Sequence, residues 1–172
     1  YLERAMALSR EKRFFHWELE FPEVFFDQYG RRKPNPGFDA VVGNPPYGAK
    51  LDDLEKRFIS GVCPISTTTD TAEYFLEYSD RLICSTGSVS MIVPKSIAFY
   101  ANWQGLRGYL VRERTITHLF DVGIAFENVN YEQLVIAFRK IPPTVNSRAQ
   151  LDCAEPLRRF RISKFIKPLG TI

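Results

Sequence analysis

The sequence has little that would support metal or thiol chemistry. Its three cysteines, Cys63, Cys84 and Cys153, are odd in number, widely spaced and free of any CxxC pair. That excludes a cysteine zinc site and a disulfide framework, and leaves idle thiols in a reducing cytoplasm as the reading. The two histidines, His16 and His118, stand far apart, which argues against a histidine-based metal centre. No run approaches the roughly 20 apolar residues that span a bilayer, so no membrane partner is expected. No signal peptide is visible. The ten glycines contain no GxG pair and no GxGxxG, so the usual nucleotide-cradling loop is missing. Net charge is only +3, weak evidence for a polyanionic partner.

Apolar and aromatic residues are plentiful. At 172 residues and 45% hydrophobic content, one domain with a real core is affordable. Fourteen Phe, eight Tyr and two Trp supply rings that fill cores or stack on bases. The cations gather late: "LRRFRISKFIK" sets Arg158, Arg159, Arg161, Lys164 and Lys167 between apolar residues. Such a segment is either a solvated surface or a phosphate contact.

Along the chain, "YLERAMALSREKR" has helical spacing. "FFHWELEFPEVFFD" is dense in aromatics and broken by Pro22, which suits an extended segment with a short strand at Val24–Phe26. "FDAVVG" reads as a buried strand ending at Gly43. "LDDLEKRFIS" predicts a helix. Asp70 is placed to cap a second, "TAEYFLEYSDRLIC", with Tyr74, Tyr78 and Leu82 on one face. "SVSMIVP" is a second buried strand, and "SIAFYANWQGLRGYLVRER" a helical crossover. "ITHLFDVG" and "YEQLVIAFRK" are the third and fourth strands, close enough to pair antiparallel. Tyr74, Tyr78 and Trp103 read as core or interface, Asp39 and Asp121 as structural carboxylates. The order predicts an α/β fold in three layers, with parallel strands first and an antiparallel strand late.

The stretch with chemical content is "GFDAVVGNPPYG", residues 37–48. Ligands of open α/β sheets bind beyond the carboxyl ends of strands, where Asn44 to Tyr47 fall. The Asn44 side chain offers a carbonyl acceptor. Pro45 offers a backbone carbonyl and no N–H, and Pro46 stiffens the loop and keeps Pro45 extended. Two acceptors converging on one point suit an NH₂ group, and Tyr47 offers a flat face to the ring that carries it. An amine conjugated to a ring is a poor nucleophile. Acceptors that draw its hydrogens out of plane favour the pyramidal form with a free lone pair. Asn-Pro is also a common turn opener, which is the structural alternative.

These residues resemble the amino-methyltransferases that use S-adenosylmethionine, in particular the large N6-adenine-specific DNA methyltransferases of restriction–modification enzymes. Besides "NPPY" after an apolar strand, "FFHWELEFPEVFF…GFDAVVGNPPYG", "GSVSMIVPKS" and "AFENVNYEQLVIAFRK" carry the likeness, from about Phe15 to Lys140. The resemblance implies a Rossmann-like methyltransferase sheet. It implies Asn44 and Pro45 on the adenine N6 amine and Tyr47 stacked on the base. It also implies Phe126 as a second stacking ring, against a core role, and a partner of double-stranded DNA with the adenine flipped out. Lys95 is placed to face phosphate, or else solvent. Other enzymes with this tetrad act on protein glutamine or RNA guanine amines, and a non-catalytic DNA-binding module is a further alternative.

The family holds its cofactor on a glycine-rich loop after the first strand, which would precede Asn44. The chain therefore reads as the later half of a methyltransferase domain. Residues 1–37 are a helix and an aromatic extended segment, 38–143 the half-domain, and 144–172 a basic linker toward a recognition region. S-adenosylmethionine is expected in the full-length protein, with none bound and no methylation by this chain alone. The bare edge of the first strand predicts self-association, or cover by the N-terminal aromatic segment.

Overall fold

The computed structural model describes residues 1–12, 15–126 and 130–153. Two compact units divide the chain, residues 1–37 and residues 38–172. The basic stretch 157–167 lies outside the described residues.

The first unit holds three helices, α1 (Leu2–Lys12), α2 (Trp17–Glu20) and α3 (Pro22–Phe25). The expected strand at Val24–Phe26 is instead a helical turn with Pro22 in its first turn, where the missing N–H costs nothing. Phe26 keeps a single bridge to Arg32 across a tight turn at Gly30, where φ is +73°. Phe15, Trp17 and Phe21 pack on one another, with Trp17 and Phe21 stacked at 5.9 Å.

The second unit is a five-stranded sheet. Its strands are β1 (Phe38–Gly43), β2 (Ile83–Pro94), β3 (Thr115–Gly123), β4 (Gln133–Arg139) and β5 (Gln150–Cys153). The spatial order is β1-β2-β4-β3-β5. β1 and β2 are parallel, as are β3 and β5, while β4 runs antiparallel to both β2 and β3. Four strands thus share one direction and β4 opposes them, the expected α/β arrangement. Helices α4 (Asp53–Val62), α5 (Thr71–Leu82) and α6 (Gln104–Glu113) fill the connections, with two short 3-10 turns at Lys95–Ala98 and Ala101–Trp103.

Alternation sets the core. Val89, Met91 and Val93 of β2 stand opposite Phe138, Ile136 and Leu134 of β4, and all six are buried. Ala72 and Leu76 of α5, Leu106 and Leu110 of α6, and Trp103 join them in one cluster. Both helices therefore cover the same face of the sheet, giving two layers among the described residues of this unit instead of three. The opposite face, with Val42, Ile92, Val135 and Phe120, is half-buried or exposed. β1 is accordingly not a buried strand: Val42 is 80% exposed, and β1 pairs only with β2 among the described residues. Gly87 lets the β2 backbone pass β1, since a Cβ there would lie 2.8 Å from the Phe38 carbonyl oxygen.

Helix α5 turns a different face inward from the one its aromatics suggest. Phe75 and Tyr78 are exposed, while Glu73, Glu77 and Asp80 are buried. The reason is the loop before it. Glu77 accepts hydrogen bonds from the Ile65 and Ser66 N–H groups, and Glu73 Oε2 from those of Thr67 (3.1 Å) and Thr68 (2.7 Å). Backbone donors that would otherwise be orphaned outweigh the apolar preference.

Burial pushes the Glu73 carboxyl above its usual range, against the lowering effect of its hydrogen bonds from Thr68 and Thr67, and the charge of Glu77 adds to the rise. The unfolded chain then sheds this proton at lower pH than the folded one. Stability held below the unfolded value is lost as pH rises through the folded value. Replacing Glu73 with Gln is expected to flatten that loss, whatever its absolute effect. Thermal unfolding from mildly acidic to neutral pH checks it; parallel curves for the two proteins would contradict it.

Candidate active site

The rim of the sheet gathers the site. β1 and β2 end there at Gly43 and Pro94, β3 ends there at Gly123, and the opposed β4 begins there at Gln133, which pairs with both Pro94 and Gly123. Four loop segments therefore meet at one edge: Asn44–Tyr47, Lys95–Ser96, Ile124–Phe126 and Tyr131–Glu132.

The tetrad loop is pinned by the start of α5. Asp70 caps the helix on the Ala72 N–H (3.0 Å) and also accepts from the Gly48 N–H (3.2 Å). The Thr71 hydroxyl donates to the Pro46 carbonyl at 2.5 Å and accepts from the Ala49 N–H at 3.3 Å. Pro45 is buried, and Asn44 and Pro46 are exposed. The Tyr47 hydroxyl reaches two acceptors, Asn44 Oδ1 at 3.0 Å and the Ile92 carbonyl at 2.9 Å. Its one proton serves either, so the tyrosine ties the Asn44 side chain to the end of β2. Burial first, then the Tyr131 hydroxyl and the Asp70 carboxylate, push the Tyr47 phenol up to about 12. It remains a neutral donor across the physiological range.

A cleft of about 520 Å³ opens beside Tyr47, within the ~300–1,000 Å³ common for ligand sites. Four rings line it: Tyr47, Phe99, Tyr100 and Tyr131. The Tyr47 and Tyr131 rings lie 5.8 Å apart at 57°. Asp70, Lys95 and Glu132 add charge to the walls. Asn44 and Pro45 are not among the lining residues; the Asn44 side chain reaches the edge through the Tyr47 hydroxyl, and Pro45 is buried. Phe126 is 38% exposed and does not line the cleft either; its neighbours 127–129 lie outside the described residues.

Lys95 is the largest departure from the expected roles. Its ammonium lies 2.5 Å from Asp121 Oδ2 and 2.8 Å from Glu132 Oε2, and its side chain is only 13% exposed. A phosphate contact needs a cation whose charge is not already matched, and two carboxylates match this one. The triad instead ties the ends of β2 and β3 to the start of β4, and so holds the Tyr131–Glu132 segment against the cleft. Tyr131, Phe99 and Tyr100 were not singled out from the sequence. The sequence marks Tyr131 only as the first residue of the stretch read as the fourth strand, which in the structure begins at Gln133.

Among the described residues, no cluster of His, Cys, Asp or Glu fits a metal ion, and no helix is long and apolar enough to cross a membrane.

The sequence model of the Eco57I restriction-modification methylase family matches residues 3–126, most of the chain. The chain belongs to that family. It is 28% identical over 138 residues to RM.MjaORFECS2P of Methanocaldococcus jannaschii, an inferred type II restriction enzyme and methyltransferase, covering 75% of this chain and 10% of that protein. It is 29% identical over 118 residues to the type II methyltransferase M.TthHB8I of Thermus thermophilus, covering 63% of this chain and 27% of that one. The chain thus spans between a tenth and about a quarter of these relatives. Its fold resembles the crystal structure of an inferred class I S-adenosylmethionine-dependent methyltransferase from Listeria monocytogenes. The TM-score is 0.55 at 14% identity, over 69% of this chain and 38% of that one.

The family implies S-adenosylmethionine in the full-length protein. No described strand precedes β1, where the described residues up to 37 form helices, turns and one isolated bridge. What the site offers is a set of hydrogen-bond acceptors and rings at one rim of the sheet.

Proposed function

We propose that this chain is the substrate-holding half of a DNA methyltransferase that modifies the N6 amine of adenine, with S-adenosylmethionine held by the remainder of a larger restriction–modification protein. The observation that carries the reading is the tie from Tyr47 to Asn44 at the mouth of a cleft walled by four rings. An adenine flipped out of its duplex would lie against Tyr47, at an unstacking cost of a few kcal/mol. Stacking returns about 1–3 kcal/mol per base, enough to offset much of that cost. Asn44 Oδ1 and the Pro45 carbonyl would take the two amine hydrogens, and the hydroxyl of Tyr47 would keep the Asn44 amide from rotating away. Tyr131, 5.8 Å from Tyr47 and tilted by 57°, would meet the edge of that base, and Phe126 remains the ring for its second face. The free edge of β1 would be covered in the larger protein or by a second copy of the chain.

The test is the identity of the product. The parent protein is incubated with duplex DNA and methyl-labelled S-adenosylmethionine, and the DNA is digested to nucleosides. Label in N6-methyl-2′-deoxyadenosine supports the reading. Label in a methylated cytosine, or in protein or RNA with none in DNA, contradicts it.

A further inference from the structure

A second cleft, of about 590 Å³, opens beside the first, and Gly48 and Asp70 line both. Lys50, Lys56, Thr69 and Tyr74 are among its walls. It is made by the loop after the tetrad, by the start of α5, and by the first turn of α4, which a capping box between Asp52 and Glu55 holds in place. Holding an adenine amine uses none of these residues.

The charges in this cleft are disposed for an anion. Asp70 is its one acidic side chain, and that carboxylate already accepts from the Gly48 and Ala72 N–H groups. Lys56 has only a 3.5 Å contact with Asp53, and both side chains are largely exposed. Lys50 has no ion pair among the described residues. The Tyr74 hydroxyl donates to the Thr68 carbonyl at 2.6 Å, which fixes its ring as a wall. Between the two clefts, Gly48 sits at φ +60°, where a side chain would be strained. The rim at that point therefore carries no side chain to block a chain passing from one cleft to the other.

We propose that Lys50 and Lys56 bind a backbone phosphodiester of the DNA strand that carries the adenine, beside the flipped nucleotide. The inference rests on the adenine reading of the first cleft. A flipped base stays tethered to its strand, so the phosphates flanking it must cross the rim of the cleft it enters. Lysine ammoniums on an open wall suit a solvated polymer charge, and phosphate contacts of this kind fix register without reading sequence.

The test uses the parent protein and a short duplex containing its methylation site, mapped beforehand in host DNA. Phosphates next to the adenine are replaced one at a time by neutral methylphosphonate. The parent protein should lose affinity several-fold at one of these positions. A K50Q/K56Q variant should bind the unmodified duplex more weakly, with a log–log salt dependence shallower by about 0.9 for each lysine. It should show no further loss at that methylphosphonate. K50R/K56R should recover the slope. Both side chains are at the surface, so an unchanged melting temperature is expected. An unchanged salt slope, or an equal further loss on the methylphosphonate, overturns the proposal. So does a variant whose affinity falls for S-adenosylmethionine without DNA, since the cleft then serves the cofactor. Binding is read separately from the product, so an absence of N6-methyladenine would overturn the adenine reading while this cycle still reports on the lysines.

Discussion

Replacing Asn44 with alanine in the parent protein is expected to lower methyl transfer to DNA about 10²–10³-fold, the scale of losing one preorganised hydrogen-bond group at a reacting centre. Duplex affinity should change little, because the phosphate contacts and the ring of Tyr47 remain. Asn44→Asp should retain far more activity, since its carboxylate still accepts hydrogen bonds from the amine and from Tyr47. The split matters more than the size. A loss confined to turnover says that Asn44 acts on the amine as it changes geometry. A loss confined to affinity says that it merely supports the loop. Single-turnover methylation beside equilibrium binding separates the two.

Replacing Asp80 with alanine is expected to destabilise the second unit by about 3–5 kcal/mol, the usual cost of leaving a buried charge without its partner. Asp80 is buried on α5 and holds Arg114, at the end of α6, through two bonds of 2.6 and 2.7 Å. It also accepts from the Tyr109 hydroxyl at 2.7 Å, and the Arg114 guanidinium lies 4.8 Å from the centre of the Tyr109 ring. Burial and Asp80 together raise the Tyr109 phenol well above its usual range, so it stays a donor. The cluster locks the two core-covering helices to each other. Urea unfolding of the variant measures the loss; a change below about 1 kcal/mol, typical of an exposed pair, would contradict the account.

The parts of the fold that were legible in sequence are those governed by local pattern. β1 to β4 announce themselves as apolar runs, and Asp70 caps α5 as its position suggests. β5 does not, because "QLDC" has no strand pattern of its own and is ordered by the open edge of β3. Helices α2 and α3 are single turns set by Pro22 and local hydrogen bonds, which an aromatic run conceals. The inward face of α5 was misread because a helical wheel weighs apolarity, whereas the N–H groups of residues 65–68 demanded carboxylates. At the rim, the positions of Asn44 and Tyr47 were legible from where they fall after a strand. Tyr131 and the partners of Lys95 were not, since they arrive only when β4 returns antiparallel to the same rim.

The central claim is that a flipped adenine rests on the Tyr47 side of the ring-walled cleft. Photo-crosslinking tests it most directly. The parent protein is bound to a duplex with 5-iodouracil in place of the target adenine, irradiated, and digested for peptide mapping. The account predicts attachment chiefly at Tyr47, with the other cleft rings, Tyr131, Phe99 and Tyr100, as secondary acceptors. Attachment at a peptide that neither borders this cleft nor holds Phe126 would contradict it.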